Sequence, residues 1–241
     1  VVVNLPPDRS PGSSWRSLLR TLGTEYSVRA RRGRARLFLQ TFDIKPTDRV
    51  LDLGGSDGAH IAALGLTAHI FVADIDHDAV EAGAKKYGYT PVPLDASGHL
   101  PFPDGYFDVV FCSSVIEHVT VPQDEVYDVT STGEFRSRAR RSQQSFADEI
   151  RRVSKRFFVQ TPYRYFPLES HTWLPGVVAV LPRPWQIEVI RRSARWWPKS
   201  SIPDFHLLNV GEFQGLFPDA HVVREKSAGI TKSLIAIKQI H

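Results

Sequence analysis

The run Val50-Leu51-Asp52-Leu53-Gly54-Gly55-Ser56-Asp57-Gly58 constrains this chain more than any other stretch. Its first four residues read as a buried strand, which breaks into a glycine-rich turn and opens a helix near Ala59. Glycine has no Cβ and tolerates positive φ, so the backbone of such a turn lets a ligand come close. Short apolar runs then alternate with helical stretches. Residues 49–53, 68–74, 90–94, 107–113 and 156–160 read as strands, and 59–64, 78–87 and 143–153 as helices. That alternation predicts an α/β fold, a mostly parallel sheet with helices on both faces. A helix at 210–216 and an antiparallel hairpin, 221–226 and 233–238 about Gly229, are expected to close it.

Three segments break the rhythm. Residues 1–45 hold a polar, proline-bearing arm and then a helical pattern carried by Trp15, Leu18, Leu19, Leu22, Leu37, Phe38 and Phe42. Gly23 and Gly33 interrupt that pattern and predict two or three helices in place of one. Residues 120–141 are polar where a short connection would serve, and loops of that length are functional or disordered. Residues 161–205 carry seven prolines and four of the five tryptophans, which predicts a Pro/Trp-rich cap. Such a cap excludes water from a bulky acceptor or rests on a membrane surface; a small helical subdomain with its own core, or a homodimer contact, is the plainer alternative. The 241 residues are thus expected to form a single domain: arm and helices at 1–45, core at 46–160, cap at 161–205 and closing elements at 206–241.

The lone Cys112, set in an apolar run, excludes an internal disulfide and any cysteine-built zinc or iron–sulfur site. Cysteine usage therefore suits a reducing compartment, and a cytoplasmic location is expected; no metal ligands are assigned. No run approaches the ~18 apolar residues of a membrane span. The chain opens at Val1 without any methionine, so its true start is expected to lie elsewhere. Net charge is +4, too mild by itself to argue for nucleic acid, and DNA is not an expected partner. Arginines nevertheless cluster at 29, 31, 32, 34 and 36 and again at 136, 138, 140 and 141, either as solvated faces or as sites for phosphate or anionic lipid.

The order of acid, then Gly54, Gly55, Ser56 and Gly58, does not fit the G-x-G-x-x-G spacing of a nicotinamide site. It suits a sulfonium cofactor with an amino-acid tail: Asp52 meets the ammonium and free N–H groups of the turn meet the carboxylate. Asp74, ending the second strand before Ile75, can accept from ribose hydroxyls, and Asp78 is placed to cap the next helix. Asp95, after the third strand, can accept from an adenine amino group with Ala96 beside the ring.

With these acids, and with Leu100-Pro101-Phe102-Pro103-Asp104-Gly105-Tyr106-Phe107-Asp108, the chain resembles the class I S-adenosylmethionine-dependent methyltransferases. The likeness is greatest to the small-molecule, type 11-like group that includes quinone methylases. It covers roughly residues 48–160 and implies a Rossmann-like seven-stranded sheet with the last strand antiparallel. It also implies S-adenosylmethionine bound by Asp52, Gly54, Gly55, Gly58, Asp74, Ile75, Asp95 and Ala96, with Ser113 and Ser114 near the sulfonium. Ser56, where the family has a glycine, and the 120–141 insertion depart from the pattern. The stretch Thr161-Pro162-Tyr163-Arg164-Tyr165-Phe166-Pro167-Leu168-Glu169-Ser170-His171 looks like a motif shared by a bacterial subgroup associated with glycan or secondary-metabolite pathways.

Methyl transfer needs an aligned acceptor and, for a hydroxyl, a base. Glu117-His118 follows the fourth strand on the ligand face, either as base or as packing beneath the cofactor. Glu169 and His171, in a proline-fixed loop, are the second candidate, against a purely structural turn. Glu117, His118 and His171 are therefore the catalytic candidates. Tyr163, Arg164, Glu169, His171 and Trp173 are the candidates for holding a small-molecule acceptor, with Arg164 as an anion clamp or a surface arginine. The acceptor atom is expected to be a hydroxyl oxygen of a glycan, a lipid-linked molecule or a secondary metabolite. An RNA methyltransferase is one rival, although Cys112-Ser113-Ser114-Val115 stands where amino-directed enzymes carry Asn/Asp-Pro-Pro-aromatic. A catalytically silent methyltransferase-like scaffold is the other.

Overall fold

A computed structural model describes residues 14–94, 98–197, 199 and 201–239. Its elements run α1 (Ser14–Thr41), β1 (Arg49–Leu53), α2 (Ala59–Ala62), β2 (His69–Asp74), α3 (His77–Tyr87), β3 (Thr90–Pro93) and β4 (Phe107–Ser113), then α4 (Thr132–Val153), β5 (Ser154–Pro162), α5 (Arg183–Ser193), α6 (Val210–Leu216), β6 (His221–Ser227) and β7 (Ile230–Lys238). The seven strands lie in the order β3-β2-β1-β4-β5-β7-β6, and β7 runs antiparallel to both its neighbours. The order reverses between β1 and β4, which is where open α/β sheets leave a crevice at their carboxyl ends. Alternate side chains feed a core on each face. Leu51, Leu53, Val110 and Cys112 pack with Phe146, Ile150 and Phe213 on one side, while Val50, Val109, Phe111 and Phe158 pack on Phe38 and Phe42 on the other.

Two expectations about helices need correction. α1 is one helix that runs through Gly23 and Gly33, not two or three. Gly23 makes room for a neighbour: a Cβ there would stand 2.4 Å from the Trp173 ring. The 120–141 insertion is not a long loop either, because α4 begins at Thr132, with Ser131 accepting from the Glu134 N–H as its cap. Its arginines pair with acids, Arg138 with Glu125 and Glu134, and Arg140 with Glu212. The cap of α3 is Asp76, whose carboxylate accepts from Ala79 N–H, and Asp78 lies inside the first turn.

The run from Leu100 to Asp108 is architectural. Phe102, Tyr106, Phe107 and Phe71 form one aromatic cluster, and Arg152 donates to the carbonyls of Leu100 and Phe102. Residues 161–205 hold a small core of their own, Leu174, Val178, Ile190 and Phe205 with Leu207. Arg183 fastens this subregion to the insertion. Its buried guanidinium donates to Val126 O, Gln186 Oε1 and Pro203 O and lies 3.8 Å from the Phe135 ring centroid. Burial lowers its pKa to about 10.

Arg183→Leu strands the Val126 and Pro203 carbonyls without a donor inside the protein, a loss of about 2–4 kcal/mol. Denaturant titration is expected to show that loss as a lower midpoint.

Candidate functional site

The turn after β1 owes its shape to one buried carboxylate. Asp52 is 2% exposed, and its Oδ2 makes no hydrogen bond. Gly55 lies directly over it, where a Cβ would stand 2.1 Å from Oδ2, so only glycine fits. Gly54 takes φ 76° and donates to Ala73 O at 2.7 Å, extending the β1–β2 ladder into the turn. Ser56 itself adopts φ 52°. Its N–H donates to Asp74 Oδ2 at 2.8 Å, and Asp76 N–H donates to Asp74 Oδ1 at 3.0 Å. Asp74 thus braces the turn with one lone pair on each oxygen and keeps the others for a ligand. Burial, with Asp74 and Asp57 adding repulsion, raises the Asp52 pKa to about 7.

A cleft of about 250 Å³ opens here, lined by Asp52, Gly54, Gly55, Ser56 and Ser113 among others. Gly58 closes the turn by donating to Gly55 O at 2.9 Å. Ile75 stands 71% exposed beyond β2, an apolar surface available for a planar ring. Asp95 and Ala96 fall outside the described residues. At the other rim, the hydroxyls of Ser113 and Ser114 donate to Gln160 Oε1 at 2.8 and 3.0 Å. Ser114 is held at φ 61°.

A single 3-10 turn, Ile116–His118, follows β4 and carries the first candidate pair. Glu117 is fully buried; its Oε2 accepts from Thr161 Oγ1 at 3.0 Å, while Oε1 makes no hydrogen bond. His171, from the loop after β5, brings its Nε2 to 3.5 Å from that Oε1. Its Nδ1 meets Glu169 Oε1 at 2.7 Å. Burial alone would lower the His171 pKa, but the Glu117 and Glu169 carboxylates outweigh it and raise it to about 9. His118 packs edge-on against His171, ring centroids 4.5 Å apart, and its Nδ1 lies 3.1 Å from Asp204 Oδ1. Glu117, His118 and His171, separated in sequence, thus form one cluster.

The proposed acceptor-binding residues divide. Glu169 is spent internally: its oxygens accept from the His171 N–H and Nδ1 and from the Thr172 N–H and Oγ1. Burial would raise its pKa, but those four bonds hold it at about 2. It positions His171 and has no lone pair left for an acceptor, which corrects that assignment. Arg164 is neither a clamp nor a surface arginine; it donates to Leu207 O at 2.6 Å and pairs with Glu212 at 2.8 Å. Trp173 packs on α1 at Gly23. Tyr163 is half-buried, its ring against that of the exposed Tyr165.

Sequence reasoning missed Gln143, Gln160, Thr161, Asp204 and His206. Gln143, buried on α4, donates to Ile116 O and His206 O and so braces the turn that carries Glu117 and His118. Burial lowers the pKa of its partner His206 to about 4. Gln143 falls on the same helical stripe as Phe146, Ala147 and Ile150, and a polar residue inside an apolar stripe is the signal that marks it.

The family described as "methyltransferase domain" (type 11) matches residues 51–156. The ubiquinone/menaquinone biosynthesis C-methyltransferase UbiE of Cupriavidus pinatubonensis is 31% identical over 32% of this chain and 35% of its own length. That of Vibrio campbellii is 35% identical over 32% and 33%. The chain spans about a third of the length of these curated relatives. Among solved structures, the PH0226 protein of Pyrococcus horikoshii OT3 aligns with TM-score 0.53 at 18% identity, covering 87% of this chain and 89% of that one. The magnesium protoporphyrin IX methyltransferase ChlM of Synechocystis PCC 6803, solved with bound SAH, aligns with TM-score 0.50 at 13% identity, covering 90% and 84%. These likenesses show the fold.

The raised Asp52 pKa fixes the sign of a stability effect. Folded Asp52 binds a proton more tightly than an unfolded aspartate, so its contribution is full below pH ~4 and lost as pH rises through about 7. Asp52→Asn removes that loss. Thermal unfolding of the cofactor-free protein at pH 8 is expected to give the variant the higher Tm, by at least about 2 °C, with the gap closing at pH 5.

Proposed function

Taking residues 51–156 as a methyltransferase domain of type 11, we propose that this chain transfers a methyl group from S-adenosylmethionine to a hydroxyl-bearing small molecule. The observation that carries the reading is Asp52. A carboxylate held dry, with one oxygen free of hydrogen bonds and a glycine cradle above it, suits an ammonium group at short range. The residues present fit the cofactor. Asp52 would hold its ammonium, the N–H groups of the Gly54–Gly58 turn its carboxylate, the remaining lone pairs of Asp74 its ribose, and Ile75 one face of its adenine. When bound, the cofactor supplies an electrophilic methyl and a leaving thioether that needs no acid.

The protein's own part is to seat and polarise the acceptor. Glu117, His118 and His171 lie at the carboxyl ends of β4 and β5, beside the Ser113 rim of the cleft, and they draw an acceptor oxygen toward the methyl. The UbiE relatives are named as C-methyltransferases. Deprotonating a phenol or enol serves either outcome, since the anion shares its charge between oxygen and carbon. The exposed Val177, Trp185 and Trp196 support an apolar or lipid-linked acceptor, with a membrane surface or a second copy as further partners.

Calorimetry is expected to show saturable binding of S-adenosylmethionine that tightens from pH 6 to pH 8 as Asp52 ionises. Asp52→Asn and Asp74→Ala are each expected to weaken it at least about tenfold. In an acceptor screen with methyl-deuterated cofactor, His118→Ala is expected to cut transfer by about 10²-fold or more while leaving cofactor affinity within about twofold. Absence of binding by the intact protein overturns the reading in favour of a silent scaffold.

A further inference from the structure

The cluster of Glu117, His118 and His171 has the makings of more than an acid–base pair. One ligand-capable atom from each lies within 4.8 Å of the other two. Glu117 contributes a fully buried carboxylate whose Oε1 makes no hydrogen bond. A carboxylate faces the Nδ1 side of each imidazole: Glu169 Oε1 meets His171 Nδ1 at 2.7 Å, and Asp204 Oδ1, which makes no hydrogen bond, stands 3.1 Å from His118 Nδ1. The Nε2 of His171 lies 3.5 Å from Glu117 Oε1. In a tetrahedral site with bonds of ~2.0–2.2 Å, neighbouring ligand atoms stand ~3.3–3.6 Å apart. Carboxylates holding the Nδ1 side of ligating histidines are the usual outer layer of a metal site.

The geometry points to a divalent-cation site formed by Glu117 and His118 from the turn after β4 and His171 from the loop after β5. Three carboxylates, Glu117, Glu169 and Asp204, surround two imidazoles there. Arg34, Lys199 and Arg183 feel this charge through longer-range attractions to Glu117, Glu169 and Asp204 respectively. A set of two nitrogens and one oxygen selects a borderline metal such as zinc, cobalt, iron or manganese over magnesium or calcium, which prefer oxygen. Three protein ligands leave a position open. Resting on the methyltransferase reading, that position would take the acceptor's hydroxyl oxygen and thereby set substrate class: acceptors able to coordinate through oxygen are preferred.

The test is titration of the intact chain with Co²⁺, followed by its visible absorption, with Zn²⁺ as competitor and no S-adenosylmethionine present. One equivalent is expected to bind with the bands of a low-coordinate nitrogen/oxygen site, and Zn²⁺ is expected to displace it. Glu117→Gln and His118→Ala are each expected to weaken binding at least about 100-fold, Asp204→Asn about tenfold, and the exposed His221→Ala not at all. His118 is partly exposed, so its variant tests the site even if Glu117→Gln fails to fold. No saturable binding, or equal binding by the His118 variant, overturns the site. Metal binding without methyl transfer to any acceptor leaves the site standing and removes the methyltransferase reading, so the two fail separately.

Discussion

A carboxylate with no compensating charge, held beneath a two-glycine turn, is the feature around which the cleft is built. Burying Asp52 costs free energy that nothing nearby repays, and the group responds by raising its pKa to about 7. The strand must deliver it there, because Asp52 pairs in register with Val72 on one side and Phe111 on the other. The turn must pass over it with no Cβ, which fixes Gly55. Asp74 must then reach across to hold Ser56 N–H, because the turn has no ladder partner of its own at that point. The turn sequence and the second acid both answer to one charge placed at the β1–β4 reversal.

The sheet and the cleft after β1 were legible because their signals are local. Strand β4 and helix α6 fall at the expected residues, since an apolar run and an Asn209-x-x-Glu212 capping box leave little choice. Reading failed where distant residues decide. Gly23 signals a helix break in isolation, yet the helix continues because Trp173, far along the chain, fills the space that the glycine leaves. The start of α4 was hidden by its polar face of paired arginines, although Ser131-x-x-Glu134 announces the cap. Glu117 and His118 stand out in the sequence only by their place after strand four, and His171 only by its place after strand five. No spacing rule could show that Glu169 serves His171 or that Asp204 faces His118.

The same contrast separates two kinds of buried polar group. Gln143 and Arg183 are satisfied by backbone carbonyls and act as braces, the first under the 3-10 turn and the second between insertion and cap. Asp52 and Glu117 each keep an oxygen without a hydrogen bond. Native proteins leave few such atoms, and both lie on the ligand side of the sheet, one on each side of Ser113 in the sequence.

Trp173 against Gly23 has a consequence for traffic through the site. The loop carrying Glu169, His171 and Trp173 contributes to the cluster, and Trp173 packs on α1 near the start of the chain. Tyr26 on that helix also donates to Ser227 and sits beneath Lys232, so the helix is tied to the closing hairpin as well. A bulky molecule that displaced this loop would therefore also disturb the Trp173–Gly23 contact and, through Tyr26, the tie between helix and hairpin.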